Sequence, residues 1–443
     1  MKASIRRLVL GLSIAAAAAA LASGGLIAAL WLQRTDYYAF SPHPSPRSGP
    51  PHATWTQRLS SDSEIPTVEP VESSPAVDDH GTVYVVTGGG TMSGTWRGHA
   101  VNNFSTAMLT ALDRDGRKVW EIMPGNDREW DGDANYPFIS TSPIVADDGT
   151  IFIVWVNGDV MALNPDGTAK WEHRLRPASM PTSTGWVHAP PAIASDGTSY
   201  WPGKVVTALG PDGALLWQFI PSEQNFYAVS IGRDGTIYAR TARLLYAIRP
   251  DRTELWHVAL PGGLPCQDCT PALDAEGNIH VTAGGRLVVI TPNGRLRWAK
   301  EGGYNGTPLI GADGTIYVAC GAALVALGSD GAVKWRFETW HEGQNVPAAL
   351  GEDGTVYVKG TRLRALSADG ALEWQITASS GVPNPWFTPV DPNAYVWAAA
   401  LGGNGRLYTG TQQGLLSSYS LAHGLAHAPW PMPSHDARHT ARQ

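Results

Sequence analysis

Two neighbouring stretches decide the fold of this chain: Gly311-Ala312-Asp313-Gly314-Thr315-Ile316-Tyr317-Val318 and Leu327-Gly328-Ser329-Asp330-Gly331-Ala332-Val333-Lys334-Trp335. Each contains an Asp-Gly turn signal and a run of β-branched or aromatic residues, and the second ends in Trp. The pair recurs eight times from about Val71 onward, with its first turn beginning at Asp79, Asp148, Asp196, Asp234, Glu276, Asp313, Asp353 and Asn404. The Trp recurs at Trp120, Trp171, Trp217, Trp256, Trp298, Trp335 and Trp374.

The repeat predicts an all-β, eight-bladed β-propeller with four-stranded antiparallel blades. Short runs separated by tight turns are typical of an antiparallel meander, and a single meander must stack against copies of itself to bury its faces. A period of about 40 residues with four strands per unit is the signature of a propeller. A linear β-solenoid is the structural alternative, although it usually has shorter repeats and unlike end caps.

Two segments compete to close the ring. The stretch from Ala53 to Leu59 resembles the Trp-bearing outer strand and is predicted to complete the blade that runs from Gly405 to Ser420. The last repeat has His423-Gly424 in place of its second turn, and Trp430 follows late. The sequence does not choose between Trp55 and Trp430.

The N-terminus predicts export. Residues 1–7 form a basic cytoplasmic region, 8–32 an apolar transmembrane anchor or signal segment, and 33–52 a Pro-rich linker. The propeller is predicted over 53–432, with a C-terminal tail at 433–443. Cleavage after Ala20-Leu21-Ala22 would give a secreted protein instead, but the apolar run continues to Leu32 and favours the anchor. We therefore expect a bacterial-type cell envelope protein, held at the inner membrane with its propeller on the periplasmic side.

Composition excludes some partners and limits cysteine chemistry. With a net charge of -7 and no basic stripe, the chain does not predict a nucleic-acid surface. Cys266 and Cys269 are candidates for a local disulfide, since Thr270 stands where a c-type haem site needs His. Cys320 is interpreted as a packed thiol.

The combination of Asp-Gly-Thr-Ile-Tyr-Val with Ala-Leu-x-x-Asp-Gly-x-x-x-Trp resembles the pyrroloquinoline-quinone-like (quinoprotein-type) repeat, from about Trp55 to Trp430. That family includes quinone-dependent dehydrogenases, non-enzymatic assembly scaffolds and sensor ectodomains, so the resemblance implies a fold more strongly than a chemistry. The dehydrogenases carry adjacent cysteines over the quinone, whereas Gln267 and Asp268 separate this pair. We expect no cofactor and no enzymatic activity. The alternative is a small quinoprotein oxidoreductase that binds pyrroloquinoline quinone and Ca²⁺ over the central channel.

The long connections are predicted to share one end of the ring. In a meander, the first-to-second and third-to-fourth turns lie at one end, here named the Asp-Gly face. The connections Gly88 to Ala107, Pro124 to Ser140, Arg176 to Ala189 and Thr377 to Val396 belong to the other end, named the long-loop face. Functional loops on a rigid scaffold are expected there.

The long-loop face is rich in aromatic and charged residues, the anchors that protein interfaces favour. Plugging of the central channel by the same residues is the alternative interpretation. Asp131, Asp133 and Asn135 are weak metal candidates, because the glycine and the closing Glu of a Ca²⁺ loop are missing. The predicted function is a membrane-tethered scaffold that binds protein partners of the cell envelope. Its candidate partner-binding residues are Trp96, Arg97, His99, Arg128, Trp130, Trp186, His188, Trp340, His341 and Trp386.

Overall fold

A computed structural model describes residues 46–443 except 60–70, 72, 88–90, 97–98, 106–107, 123–141, 155–158, 176–189, 223–224, 262–268, 339–345, 361, 378–395, 412–413 and 437–438. The predictions for residues 1–45 therefore lie outside the described part of the chain. No helix in the described part is long and apolar enough to cross a membrane.

The described strands form eight four-stranded antiparallel sheets, which confirms the predicted propeller blades. The first described strand is β1 (Ala53–Arg58), and blade 1 contains β2 (Ala76–Val77), β3 (Val83–Thr87), β6 (Met108–Leu112) and β7 (Lys118–Ile122). A separate hairpin of β4 (Thr91–Trp96) and β5 (His99–Ser105) stands between β3 and β6. Blade 2 contains β8 (Ile144–Val145), β9 (Ile151–Val154), β10 (Asp159–Leu163) and β11 (Ala169–Arg174). Blade 3 contains β12 (Ala192–Ile193), β13 (Ser199–Trp201), β14 (Val206–Leu209) and β15 (Leu215–Phe219).

The same order continues around the ring. Blade 4 contains β16 (Ala228–Ile231), β17 (Ile237–Arg240), β18 (Leu244–Ile248) and β19 (Glu254–Ala259). Blade 5 contains β20 (Ala272–Leu273), β21 (Ile279–Ala283), β22 (Arg286–Ile290) and β23 (Leu296–Glu301). Blade 6 contains β24 (Tyr304–Ile310), β25 (Ile316–Cys320), β26 (Ala323–Leu327) and β27 (Val333–Glu338), and blade 7 contains β28 (Val346–Leu350), β29 (Val356–Lys359), β30 (Arg362–Leu366) and β31 (Leu372–Thr377). Blade 8 combines β32 (Val396–Leu401), β33 (Arg406–Thr411) and β34 (Leu415–Ser420) with β1.

Local turn chemistry explains why every repeat folds alike. In blade 6, the Asp313 carboxylate accepts hydrogen bonds from the amide and the hydroxyl of Thr315, at 3.0 and 2.6 Å. Gly314 adopts a φ of 76°, which glycine tolerates without the steric cost of a side chain. The second and third strands of this blade, β25 and β26, are buried along their whole lengths. The outer strand is half-exposed, and its aromatic residues Trp335 and Phe337 pack against the core.

In seven of the eight blades, the repeated Trp joins its blade to the next one. Its indole Nε1 donates to a main-chain carbonyl in the second turn of the following blade, at 2.8–3.0 Å. The seven donor and acceptor pairs are Trp55 and Arg114, Trp120 and Pro165, Trp171 and Pro211, Trp217 and Pro250, Trp256 and Pro292, Trp298 and Ser329, and Trp335 and Ala368. We call this contact the Trp latch.

A residue with positive φ lies against the indole in the latch. At Gly213, a Cβ atom would come within 2.5 Å of Trp171 Cδ2, so the ring rests directly on the glycine backbone. Arg252 holds the corresponding position in blade 4 with a φ of 76°. The latch therefore recognises a turn shape, namely an exposed carbonyl followed two residues later by a residue with positive φ.

β1 closes the ring. It pairs antiparallel with β34, with Trp55 opposite Ser418, so the prediction that the segment at Ala53 completes the last blade is confirmed. Trp55 also makes the latch to blade 1. The outer strand of blade 8 thus comes from the start of the propeller, and no covalent turn links β34 to it.

Candidate functional site

The C-terminal segment, residues 424–443, covers the Asp-Gly end of the central channel. Its main chain bonds to the ends of inner strands on opposite sides of the ring, at Ile193, Ile231, Ile310 and Leu350. The side chains of His439, Arg442 and Gln443 add bonds to Pro143 and Asp147 of blade 2 and to Asp274 of blade 5. Because one segment reaches six of the eight blades near their inner strands, it must cross the channel axis.

Trp430 anchors this segment and does not take part in ring closure. It is fully buried, packs with the core of blades 4 and 5, and pairs with Ile310 through two main-chain hydrogen bonds of 2.8 and 3.2 Å. Its indole Nε1 donates to the Pro433 carbonyl at 3.3 Å, and its ring meets His435 edge-on at 5.1 Å. The described residues of 433–443, a range predicted as a tail, are therefore seated on the propeller.

Buried polar groups hold the end of the segment. Burial would raise the pKa of Asp436, but the interaction with His435 and hydrogen bonds from the Thr440 hydroxyl and amide, at 2.6 and 3.0 Å, lower it to about 2. Burial lowers the pKa of His439, although its bond with the Pro143 carbonyl and the nearby Asp436 charge act in the opposite direction. Lys359 lowers this pKa further through its charge. The segment therefore holds an ionised carboxylate and a neutral imidazole at neutral pH.

The hairpin of β4 and β5 stands on the long-loop face. Its strands pair with each other, Thr91 opposite Ser105 and Trp96 opposite His99 at the tip, and they join none of the eight blades. The connection from Gly88 to Ala107 was predicted as a loop, and the structure shows this additional element inside it. An isolated two-stranded hairpin is only marginally stable in water, and its outer edges present unpaired main-chain groups.

A buried cation lies where the blades meet the long-loop face. Arg240, at the end of β17, is 2% exposed, and its Nη1 donates to the Cys269 carbonyl at 3.4 Å. Its Nε has no hydrogen-bond partner among the described residues. Burial lowers the pKa of this guanidinium to about 10, so the group still carries its charge at neutral pH.

Ion pairs occupy the same end of other blades. In blade 2, Arg174 Nε donates to the buried Asp159 carboxylate at 3.1 Å. In blade 6, Arg336 pairs with Glu338 and also contacts the sulfur of Cys320. The base of the long-loop face therefore carries fixed charges of both signs, while most of its connections lie outside the described residues.

The structure places two of the predicted partner-binding residues, Trp96 and His99, opposite each other at the hairpin tip. The other eight, and the metal candidates Asp131, Asp133 and Asn135, lie outside the described residues and stay predictions. Among the described residues, no three His, Cys, Asp or Glu side chains are grouped as a metal site would require. Sequence reasoning missed the C-terminal segment, for which the late Trp430 was the available signal.

Two of the three cysteines lie in the described part of the chain. Cys269 is disulfide-bonded, and its predicted partner Cys266 lies outside the described residues. Cys320 is a free, buried thiol whose Sγ donates to the Gly302 carbonyl at 2.7 Å. Cys320 is therefore a packed thiol, as interpreted.

Comparison with known proteins agrees with this architecture. The sequence model of the family described as PQQ_2, outer membrane protein assembly factor BamB, matches residues 283–428. The matched residues include blades 6 and 7, whose sequences resemble PQQ-like repeats. No curated protein matches the chain in sequence.

Solved structures match through the propeller. BamB from Moraxella catarrhalis is 15% identical, with a TM-score of 0.58, and the match covers 84% of this chain and 100% of that one. The C-terminal WD40 domain of Sif2 matches with a TM-score of 0.58 at 10% identity, over 84% of this chain and 99% of that one. Virginiamycin B lyase from Staphylococcus aureus is 14% identical, with a TM-score of 0.46, over 63% of this chain and 94% of that one. At these identities, the likeness of the first two structures shows the fold alone.

Proposed function

We propose that this PQQ-like propeller is a non-enzymatic scaffold that binds a protein partner through its long-loop face. The hairpin of β4 and β5 carries the proposal. It extends from blade 1 without joining any blade, and an isolated pair of strands gains stability when another strand or surface covers it. Addition of a partner strand to such an edge is a common mode of peptide recognition.

The C-terminal segment covers the Asp-Gly end, which supports binding of the partner at the long-loop face. The C-terminal segment already occupies the inner strand ends on that side, through main-chain bonds to blades 3, 4, 6 and 7. The long connections leave from the opposite end, where Arg240 and the pair of Asp159 and Arg174 provide fixed charges beneath them. A rigid ring with a variable face fits a role in holding partners in a fixed arrangement.

The predicted location places this activity in the cell envelope, with the propeller tethered to the inner membrane and exposed on the periplasmic side. The similarity of residues 283–428 to an outer membrane assembly factor supports an envelope partner. The tether rests on the apolar stretch 8–32 of the sequence. We propose envelope proteins as the partners and exclude nucleic acid because the chain carries a net charge of -7.

Site-specific crosslinking in cells tests the proposal. A photoreactive amino acid replaces His99 at the hairpin tip, and a matched variant carries it at Asp330, in an exposed second turn on the Asp-Gly face. We expect a discrete crosslinked protein from position 99 and none from position 330. Equal crosslinking from both positions, or none from 99, would contradict a long-loop binding face.

A titration with pyrroloquinoline quinone and Ca²⁺ separates the scaffold from an oxidoreductase. We expect no saturable quenching of Trp fluorescence in the folded full chain. Saturable binding together with dye reduction in the presence of alcohols or sugars would replace the scaffold by the quinoprotein alternative.

A further inference from the structure

The ring closure leaves one Trp without a latch. Trp374 lies in the outer strand of blade 7 and keeps the ring contact of the repeat, 5.9 Å from Tyr357 at an interplanar angle of 48°. The equivalent pair of Tyr317 and Trp335 lies at 5.8 Å and 47°. Trp374 is therefore held as the other repeated Trp residues are, yet its indole makes no hydrogen bond within the described part of the chain, unlike the seven latched residues.

The cause is the way in which blade 8 is built. The other blades receive the Trp latch in the turn between their third and fourth strands, as blade 7 does at Ala368 and Gly370. Blade 8 has no such turn, because its fourth strand is β1 and the chain leaves β34 at Ser420. The segment that leaves β34 and the segment that precedes β1 pass this position without filling it.

A cleft of about 400 Å³ occupies the place of the missing turn. Trp374 and Tyr357 form one wall, and Leu421, Ala422 and His423 of the departing chain form the other. Ser48 of the arriving chain lies at the edge, where its amide donates to the Glu373 carbonyl at 2.7 Å. The cleft is thus bounded by folded chain on both sides of the seam.

We propose that this cleft is a docking site for a Pro-Asp-Gly turn displayed by another protein. The seven latches show what the indole accepts: a main-chain carbonyl at 2.8–3.0 Å, followed two residues later by a residue with positive φ. Proline supplies the carbonyl in four of them, at Pro165, Pro211, Pro250 and Pro292. The seven latched turns among the described residues are occupied by the chain's own Trp residues, so the proposed occupant is a different protein and not a second copy.

This site goes beyond the proposed scaffold function, since it lies at the rim of the Asp-Gly face, away from the hairpin. Binding at the two surfaces is independent. A partner seated at the seam would contact both β34, through the chain leaving it, and the segment that precedes β1. It would thereby join the two strands whose pairing closes the ring.

A cyclic peptide tests the proposal. The probe is residues 163–169, Leu-Asn-Pro-Asp-Gly-Thr-Ala, closed by a disulfide between added terminal cysteines, and its binding to the immobilised full chain is measured by surface plasmon resonance. We expect saturable binding. Trp374→Phe, which keeps a ring and removes the N–H, should weaken it roughly tenfold, the factor associated with one lost hydrogen bond of about 1.4 kcal/mol.

Three controls make the test specific. A peptide with Gly167→Ala should not bind, because a Cβ atom there would come within 2.9 Å of the indole ring in the latch of Trp120. Trp171→Phe, a variant of a latched Trp, should leave peptide binding unchanged. Ala422→Trp, which fills the cleft from its exposed wall, should abolish binding while residue 374 remains Trp.

The outcomes decide the proposal. Binding that is lost in the cleft variants and retained in Trp171→Phe supports it. No binding to the wild-type chain, equal binding to Trp374→Phe, or equal binding of the Gly167→Ala peptide overturns it. Circular dichroism and thermal unfolding of each variant establish that the compared proteins are folded.

Discussion

Replacing Trp430 by Ala should detach the C-terminal segment and destabilise the propeller. The indole is fully buried between the segment and blades 4 and 5, and truncation of a buried Trp to Ala typically costs about 3–5 kcal/mol. The substitution leaves the main-chain groups that bond to Ile310 in the chain, but it removes the largest buried apolar side chain of the segment, so these bonds should open more readily. We expect a loss near the middle of that range in the free energy of unfolding, measured by urea denaturation.

Hydrogen exchange locates the effect. The amides of Ile310 and Leu350 donate to the carbonyls of Trp430 and Pro431, at 2.8 and 2.9 Å, and should exchange faster in the variant. Trp374→Ala is the matched control, because this Trp is partly exposed and has no latch. Its expected cost is about 1–2 kcal/mol, roughly half the value of full burial. A Trp430→Ala protein within about 1 kcal/mol of wild type and with unchanged exchange at Ile310 would refute the seated segment.

Three further predictions follow from single contacts. Trp298→Phe should lower the free energy of unfolding in urea by about 0.5–1.5 kcal/mol through the lost latch bond, whereas Trp374→Phe should leave it nearly unchanged. Burial lowers the pKa of His439 below its ordinary value of 6.5. As the pH falls, the unfolded chain therefore binds a proton at His439 before the folded chain does. The difference in free energy of unfolding between wild type and His439→Gln should therefore be constant above pH 6.5. As the pH falls below 6.5, wild type should lose stability relative to the variant, as measured by urea denaturation at a series of pH values. His280→Leu should cost about 1–3 kcal/mol in urea unfolding, since the buried Asp274 carboxylate loses a partner at 2.9 Å, while His280→Tyr, the residue type of the repeat, should cost less.

The repeat made the fold predictable because each blade is specified locally. An Asp side chain and a glycine with positive φ define most of the turns, as at Asp313 and Gly314, and a Trp marks the outer strand. The choice of closing strand depended on pairing between β1 and β34, far apart in the chain, and no local pattern encodes that register.

The C-terminal segment was unpredictable for a different reason. It binds through main-chain groups, such as the carbonyls of Trp430 and Thr440, to inner strands of blades 3 and 6. Main-chain recognition leaves no residue signature. The one signal in the sequence was Trp430, a Trp outside the repeat period. The structure shows that it is fully buried.

The sequence predicted which face carries the candidate site, but it did not predict the hairpin that forms part of it. Trp96 and His99 were selected for their chemistry, and the structure places them opposite each other at the tip of the hairpin. The hairpin itself was hidden because Gly94 and the polar pair Asn102-Asn103 interrupt the β-branched pattern that marks a strand.

The pairing of β1 with β34 sets the order in which the molecule can be completed during synthesis. Residues 53–58 leave the ribosome first among the propeller strands, yet their partner strand at 415–420 is among the last to be made. Until then the growing chain is an open arc whose end blades present uncovered faces and an unpaired edge, the features that invite association with other chains. The arrival of residues 424–443 then fastens six blades at once, so the ring becomes resistant to opening only after this segment has been made.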